Sequence, residues 1–254
     1  MSLALLEAAE HAARVAGEAI LEVYASDFEV ARKRDQSPVT LADGQAEAII
    51  LPLLRAAAPD IPVIAEELAE AEGLPATAPP RFWLVDPLDG TKEFIKRNGE
   101  FTVNIALVEG DRPVLGAIAI PVKGVVYGAA GPGTARVTDA GGRIRRIAAR
   151  LPPDDGLTVA YSRSHADTER LETWLAPYRI AQRIVAGSAL KFCLLAKGSA
   201  DLCPRFGPTM EWDTAAGQAI LEAAGGSVTM LDGTPFRYAK PGFLNPGFVA
   251  RGRR

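Results

Sequence analysis

Cysteine and histidine are scarce in this chain of 254 residues, which contains two of each. Cys193 and Cys203 have neither the spacing of metal ligands nor the number that a disulfide framework needs. No arginine lies six positions after either cysteine, so the phosphate-binding loop of cysteine phosphatases is absent. His11 lies in a predicted helix and His165 near the end of a predicted strand, which disfavours a phosphohistidine mechanism.

Long apolar runs and an excess of positive charge are also missing. No run approaches the ~20 apolar residues of a membrane-spanning helix. The N-terminus does not resemble a cleavable signal, so we expect a cytoplasmic protein without a membrane span. The formal net charge is −3, which argues against nucleic acid as a partner, because non-specific polyanion binders need a basic surface. A local group of Lys and Arg residues can still hold a small anionic ligand.

The periodicity of apolar residues predicts an α+β arrangement in the first part of the chain. Two Ala-rich patterns of helical period cover residues 3–24 and 40–58. Residues 131–151 carry no clear pattern and are interpreted as a surface excursion. Before them, apolar runs separated by turn residues predict an antiparallel meander of strands at 101–108, 114–120 and 125–129.

After a Pro-rich stretch at residues 150–156, strand and helix patterns alternate, which is typical of α/β architecture. The predicted strands are 157–161, 182–185, 200–203 and 226–230, and the predicted helices are 167–176, 188–197 and 213–224. We therefore predict an α/β fold with an α+β half over residues 1–152 and an α/β half over residues 153–254.

Acidic residues follow two predicted strands of the first half and open a helix of the second. Asp86 and Asp89 follow one apolar run, Glu66 and Glu67 follow another, and Asp213 precedes an Ala-rich segment. Taken singly, such residues are usually solvated loop acids or a helix N-cap. If these ends converge, four carboxylates in one pocket repel each other unless cations neutralise them. Oxygen ligands of this kind suit Mg²⁺.

This constellation fits a metal-dependent phosphatase. Metal ions polarise phosphoryl oxygens and lower the pKa of a bound water. Backbone N–H groups of Gly90 and Thr91, with the N-terminus of the helix at Asp213, can cradle the phosphate. The Asp-x-Asp-x-Thr pattern of aspartyl phosphatases is missed, because two residues separate Asp86 from Asp89. No Gly-Lys-Ser/Thr loop for nucleoside triphosphates occurs.

Two longer stretches resemble the motifs of a known family. Asp86-Pro-Leu-Asp-Gly-Thr91 and Trp212-Asp-Thr-Ala-Ala-Gly217 are similar to motifs of the inositol monophosphatase superfamily of Mg²⁺-dependent, lithium-sensitive phosphatases. The spacing between the two motifs, the preceding Glu66-Glu67 and the segment Ser37-Pro-Val-Thr-Leu-Ala-Asp43 agree with it. The resemblance spans nearly the whole chain and implies a layered α/β/α/β/α sandwich.

Within that superfamily, further stretches resemble the 3'(2'),5'-bisphosphate nucleotidases of the CysQ type. These stretches are Asp89-Gly-Thr-Lys-Glu-Phe94, Phe101-Thr-Val-Asn104, Ser162-Arg-Ser-His-Ala-Asp167, Gly187-Ser-Ala-Leu-Lys-Phe-Cys193 and Pro204-Arg-Phe-Gly-Pro-Thr209. The resemblance implies adenosine 3',5'-bisphosphate as substrate, cleaved to AMP and phosphate, and some members also act on 3'-phosphoadenosine 5'-phosphosulfate. Inositol monophosphatase and fructose-1,6-bisphosphatase activities are the alternatives, and a non-catalytic module that binds phosphate and metal is a different class.

The resemblance also implies roles for individual residues. Gly90 and Thr91 resemble the phosphate contacts, and Thr91 resembles the threonine that orients the attacking water, with Glu66 or Asp43 as the accompanying base. Thr40-x-x-Asp43 is also a capping-box-like helix start. The implied metal ligands, for two or three Mg²⁺ ions, are Glu66, Asp86, Asp89, Asp213 and the backbone carbonyl of Leu88.

Most contacts to the remainder of the substrate are expected from the second half of the chain. A bisphosphate carries a second phosphate away from the metals, and this phosphate needs cationic partners. His165 either contacts the nucleotide or caps the helix near Asp167. We also allow for a homodimer. The predicted substrate contacts, besides Gly90 and Thr91, are Asp89, Asp213, Ser188, Lys191, Arg163, Arg205 and His165.

Overall fold

A computed structural model of the chain describes residues 2–32, 38–162 and 168–253. Its helices are α1 (Ser2–Tyr24), α2 (Leu41–Ala57), α3 (Glu66–Glu72), α4 (Thr91–Ile95), α5 (Thr168–Leu175), α6 (Leu190–Ala196) and α7 (Ala215–Ala223), with 3-10 turns at Pro121–Lys123, Glu211–Asp213 and Pro241–Phe243. Its strands are β1 (Val30–Arg32), β2 (Pro38–Thr40), β3 (Val63–Ala65), β4 (Arg81–Asp89), β5 (Thr102–Glu109), β6 (Arg112–Ile120), β7 (Val125–Ala130), β8 (Arg136–Thr138), β9 (Ile144–Arg146), β10 (Leu157–Ser162), β11 (Ile180–Ala186), β12 (Leu202–Arg205), β13 (Thr209–Met210), β14 (Ser227–Met230), β15 (Leu244–Asn245) and β16 (Phe248–Arg251).

Two large sheets organise the described residues. The first has the order β3-β4-β5-β6-β7-β8-β9 and is antiparallel except for the parallel pair β3–β4. The second has the order β11-β10-β12-β16-β14. Its β10 pairs in parallel with β11 and β12, whereas β16 pairs antiparallel with β12 and β14. The short ribbons β1–β2 and β13–β15 are separate.

The helices cover both large sheets and produce five layers. Apolar residues of α1 and α2 pack on one face of the first sheet, where they meet Trp83 and Val85 of β4. Phe82 and Leu84 point to the opposite face, because successive strand residues alternate, and there they join the cluster that contains α6, α7 and the second sheet. Helix α5 packs on the outer face of the second sheet. This order confirms the predicted layered α/β/α/β/α sandwich.

Helix α7 packs closely on the first sheet, and this contact places the turn before α7 beside β4 and β5. A Cβ atom on Gly116 of β6 would lie 2.4 Å from the carbonyl oxygen of Ala216, and one on Gly217 would lie 2.4 Å from the ring of Phe192. Only glycine permits such an approach. The 3-10 turn before α7, which contains Asp213, therefore lies beside β4 and β5.

Some elements differ from the sequence predictions. The stretch 131–151 is not a mere excursion, because its short strands β8 and β9 continue the meander. Strand β9 is exposed along its whole length, so it has no apolar alternation for sequence analysis to detect. Strand β16 was not predicted, although it lies in the middle of the second sheet.

Two observations concern the chain as a whole. The apolar cluster between the two sheets draws residues from both predicted halves. The boundary between residues 152 and 153 therefore stays a prediction. Among the described residues, no helix combines the length and the apolar character needed to cross a bilayer.

Candidate active site

A bulge at the end of β4 aligns the first two acids. Asp86 pairs with Asn104 and Asp89 pairs with Thr102, so three steps along β4 match two steps along β5. In a regular strand, residues three apart point to opposite faces; the extra residue returns Asp89 to the face of Asp86. The N–H of Leu88 donates to Oδ1 of Asp86 at 3.0 Å. The spacing that excluded the aspartyl-phosphatase pattern is therefore what places both carboxylates together.

Gly90 turns the chain from β4 into α4. Its φ is +94°, a left-handed conformation that L side chains resist. A Cβ atom here would lie 3.1 Å from the carbonyl oxygen of Glu100 and 3.3 Å from Cβ of Ser188. The glycine thus permits a close approach between this strand end and the segment that contains Ser188.

Thr91, the first residue of α4, contacts Asp43. Its hydroxyl lies 3.2 Å from Oδ1 of Asp43 and 3.3 Å from the carbonyl oxygen of Leu88, and it can donate to one of them at a time. The other carboxylate oxygen of Asp43 accepts from the N–H and the hydroxyl of Thr40, each at 2.8 Å. Asp43 therefore caps α2 and touches Thr91 at the same time.

Asp89 ties the strand end to the second half of the chain. Its Oδ2 accepts from the N–H of Ala189 at 2.7 Å, and Nδ2 of Asn104 lies 3.2 Å away. Burial raises the pKa of Asp89 to about 6, although the nearby ammonium of Lys191 opposes the shift. The carboxylate is therefore costly to keep charged where it lies.

Asp213 and Glu66 complete the acidic group. The N–H of Met210 donates to Oδ2 of Asp213 at 2.8 Å. Burial raises the pKa of Asp213 well above its ordinary value, and the neighbouring carboxylates of Asp89 and Glu66 raise it further. The structure thus brings acids from β4, α3 and the turn before α7 close enough to repel one another.

The secondary structure at Glu66 and at Asp213 differs from the sequence prediction. Helix α3 begins at Glu66 itself, where the sequence indicated a loop, and Oε2 of Glu47 accepts from the N–H of Glu67 at 2.9 Å. Asp213 ends a 3-10 turn rather than opening a helix, because α7 begins at Ala215.

The donor chemistry of this group fits Mg²⁺. Within the described ranges, the hydrogen bonds of Asp89 and Asp213 all reach Oδ2, so Oδ1 of each is available to a ligand. The same part of the chain contains no three His, Cys, Asp or Glu side chains already gathered as a metal cluster. The acids border a cleft of about 290 Å³. The cleft is lined by every predicted metal ligand, namely Glu66, Asp86, Leu88, Asp89 and Asp213.

The cationic side chains of Lys191 and Arg205 also line this cleft. Nζ of Lys191 donates to the carbonyl oxygen of Ser188 at 2.6 Å, and burial lowers the pKa of this lysine. Nε of Arg205 donates to the carbonyl oxygen of Gly207 at 3.3 Å. Both side chains thus hold their own loops while they border the cleft.

Ser188 does not open a helix as the sequence indicated. Helix α6 begins at Leu190, and Ser188 has a left-handed φ of 45°. Its hydroxyl is buried, and no partner for it is found among the residues described. A buried polar atom in this state is expected to meet a ligand or water.

Arg163 and His165 lie outside the described residues. Their predicted contacts with substrate stay predictions. The preceding residue, Ser162, lines the cleft.

Sequence reasoning gave no role to Thr102 and Asn104. Both side chains are buried and both approach Oδ2 of Asp89. Two polar residues at a spacing of two in an otherwise apolar strand were the available signal, since they must share one face of β5.

The comparisons with known proteins define the class. The model of the inositol monophosphatase family matches residues 3–251, and this chain belongs to that family. The family is metal-dependent. This membership confirms the resemblance that the two long motifs indicated.

More specific similarity is to proteins named CysQ. The 3'(2'),5'-bisphosphate nucleotidase CysQ of Salmonella typhimurium is 51% identical over 249 residues, which are 96% of this chain and 98% of that protein. The CysQ of Escherichia coli K12 is 49% identical over 242 residues, 93% of this chain and 95% of that protein. A crystal structure of CysQ from Bacteroides thetaiotaomicron matches with a TM-score of 0.82 at 41% identity and covers 98% of this chain and 97% of that chain.

Proposed function

We propose that this protein is a Mg²⁺-dependent 3'(2'),5'-bisphosphate nucleotidase that hydrolyses adenosine 3',5'-bisphosphate to AMP and phosphate. The observation that carries the proposal is its identity of 49–51% to bisphosphate nucleotidases over nearly the full length of both chains. The convergence of carboxylates and cationic groups on one cleft supports it independently.

The acidic side of the cleft would hold the metal. Glu66, Asp86, Asp89, Asp213 and the carbonyl of Leu88 offer oxygen ligands from separate elements, as hard cations prefer. Bound Mg²⁺ supplies positive charge to the phosphoryl oxygens and lowers the pKa of water. A bound cation would relieve the repulsion among these acids, where Lys191 already contributes positive charge beside Asp89.

Thr91 and Asp43 position the attacking water. Because Oδ1 of Asp43 accepts the hydroxyl proton of Thr91, the lone pairs of the threonine oxygen can accept from a water in the cleft. As this water attacks phosphorus, its proton passes to the hydroxyl of Thr91, which releases its own to Asp43. The bond between phosphorus and the 3'-oxygen breaks, and this oxygen leaves on AMP and takes a proton from solvent water. Thr40 holds the other oxygen of Asp43 in place. Glu66 remains the alternative base.

The groups that line the cleft can bind both phosphates of the substrate. Backbone N–H groups of Gly90 and Thr91 bind the phosphate that is cleaved. Lys191 and Arg205 bind the second phosphate, because both positive charges line the cleft and suit a phosphate group. Ser188 offers its buried hydroxyl to the substrate, and Arg163 and His165 stay predicted contacts from the sequence.

Phosphate release decides the proposal. The purified protein is assayed with Mg²⁺ on adenosine 3',5'-bisphosphate, inositol 1-phosphate and fructose 1,6-bisphosphate, and again after EDTA treatment. We expect preference for the nucleotide, AMP as the product, and loss of activity with EDTA. Preference for either sugar ester would overturn the substrate assignment, and no hydrolysis of any of the three would favour a binding module.

A matched pair of variants assigns the activity to this cleft. Asp86→Asn removes one carboxylate of the buried site, and Asp60→Asn makes the same change at an exposed position. The first should abolish phosphate release and the second should leave it unchanged. Equal activity in both variants would show that the measured hydrolysis comes from elsewhere.

Three further expectations stay predictions. They are the cytoplasmic location, the absence of a nucleic-acid partner and the homodimer.

A further inference from the structure

The turn formed by Gly187, Ser188 and Ala189 is fastened to the rest of the protein at separate points. Oε2 of Glu100 accepts from the N–H of Gly187 at 2.9 Å. Oδ2 of Asp89 accepts from the N–H of Ala189 at 2.7 Å. Nζ of Lys191 donates to the carbonyl oxygen of Ser188 in the same turn. The carboxylates of Glu100 and Asp89, from the first half of the chain, thus accept hydrogen bonds from two amides of one turn in the second half.

The turn is also packed tightly against Glu100. A Cβ atom on Gly187 would lie 2.7 Å from Cγ of Glu93 and 2.9 Å from the carbonyl oxygen of Glu100. A Cβ atom on Gly90 would lie 3.1 Å from that same carbonyl oxygen. The backbone carbonyl of Glu100 therefore packs closely against both Gly90 and Gly187.

Ser188 explains why the turn needs such support. A left-handed φ is unfavourable for a residue with a side chain, so this conformation persists only where neighbouring contacts enforce it. The same conformation keeps the hydroxyl of Ser188 buried and available beside the cleft. Asp89 and Lys191 line the cleft and have roles of their own, whereas Glu100 is not among its lining residues.

We propose that Glu100 is a positioning residue for the nucleotidase reaction, whose carboxylate anchors the N–H of Gly187 and so presents Ser188 and Ala189 to the substrate. This inference rests on the proposed function. Glu100 acts through the turn, so its loss weakens substrate binding more than the chemical step.

Steady-state kinetics on adenosine 3',5'-bisphosphate test this role with three variants. In Glu100→Ala, we expect KM to rise about tenfold while kcat changes by less than about threefold, because a charge-assisted hydrogen bond that orders a binding turn is lost. Glu100→Gln keeps an acceptor oxygen and should restore most of the wild-type KM. Glu172→Ala removes an exposed glutamate of α5 that pairs with Arg183 and should change neither constant.

Amide hydrogen exchange gives a readout that does not depend on catalysis. The amides of Gly187 and Ala189 should exchange faster in Glu100→Ala than in the wild type or in Glu100→Gln. Unchanged exchange together with an unchanged KM in Glu100→Ala would overturn the inference. If Glu100→Ala does not fold, Glu100→Asp decides, because its shorter side chain withdraws the carboxylate from the N–H of Gly187 and should raise KM and the exchange rate of that amide. Wild-type values of both in Glu100→Asp would then overturn the inference.

Failure of the proposed function has a different signature. A wild-type protein that releases no phosphate from adenosine 3',5'-bisphosphate would overturn that function. The exchange rates of Gly187 and Ala189 would still decide whether Glu100 holds the turn.

Discussion

Two regions of this protein hold their acidic side chains in different ways. Glu10 of α1 borders a cavity of about 420 Å³ and pairs with Arg136 of β8. Its Oε1 accepts from Nε of Arg136 at 2.9 Å, and its Oε2 accepts from Nη2 at 2.6 Å. In the smaller cleft, Asp89 and Asp213 lie among other carboxylates, which raise the pKa of Asp213 in addition to burial. An acid with its own arginine supports the fold, whereas grouped acids without equal positive charge indicate a site for cations.

The same contrast occurs within a single turn. Glu211, which is fully buried, accepts from the N–H of Ala239 at 2.8 Å and of Lys240 at 3.0 Å, and also from the ammonium of Lys240. Asp213, two residues later, accepts from the N–H of Met210 and faces Asp89. Of two acids in one short turn, one can therefore stabilise the fold and the other can belong to the cleft. Burial alone does not distinguish these two roles.

The largest effect is expected at the grouped acids. Asp213→Asn should lower kcat/KM for adenosine 3',5'-bisphosphate by about a thousandfold, because a metal ligand is worth several kcal/mol. Without Mg²⁺, the same variant should melt at or above the wild-type temperature, since it removes a buried repelling charge and keeps an oxygen for the N–H of Met210. Phosphate release and thermal unfolding in EDTA measure the two effects. A lower melting temperature in EDTA would mean that Asp213 supports the fold as Glu10 does.

The opposite pattern is expected at the paired acid. Glu10→Ala should destabilise the protein by about 2 kcal/mol, because it leaves the half-buried guanidinium of Arg136 without this partner. Its kcat/KM should equal that of the wild type at a temperature where both are folded. Urea unfolding measures the stability, with Glu22→Ala, an exposed glutamate of the same helix, as control. An activity loss without a stability loss would place function in the larger cavity.

A smaller loss separates the hydroxyl of Thr91 from the metal ligands. Thr91→Val should lower kcat by about a hundredfold, because proton transfer and water orientation contribute at least that much. Thr91→Ser keeps the hydroxyl and should retain most of the activity. Single-turnover kinetics with saturating Mg²⁺ compare them. Equal rates for Val and Ser would remove Thr91 from the proton path.

Sequence analysis found the acids but not what holds them. The motifs identified Asp86, Asp89 and Asp213, and apolar runs between turn residues predicted most strands of the first sheet. The bulge in β4 could not be predicted, because it depends on pairing with Thr102 and Asn104 rather than on local preference.

Other features depend on tertiary contacts in the same way. The left-handed Ser188 is imposed by contacts from Glu100, Asp89 and Lys191, which are distant from or follow it in sequence. Strand β16 is short, and its place between β12 and β14 is fixed only when both neighbours are present. The sequence left the roles of Asp43 as alternatives, and the structure shows it bonded at once to Thr40 and Thr91.

Thermal unfolding with increasing Mg²⁺ tests most directly whether the grouped acids hold a cation. The melting temperature of the wild type should rise by about 5 °C or more as the site saturates, because a ligand that binds the folded state stabilises it. Glu10→Ala should start lower and show the same rise, whereas Asp213→Asn should show little or none. An equal rise in wild type and Asp213→Asn, or no rise in the wild type, would contradict a Mg²⁺ site in this cleft.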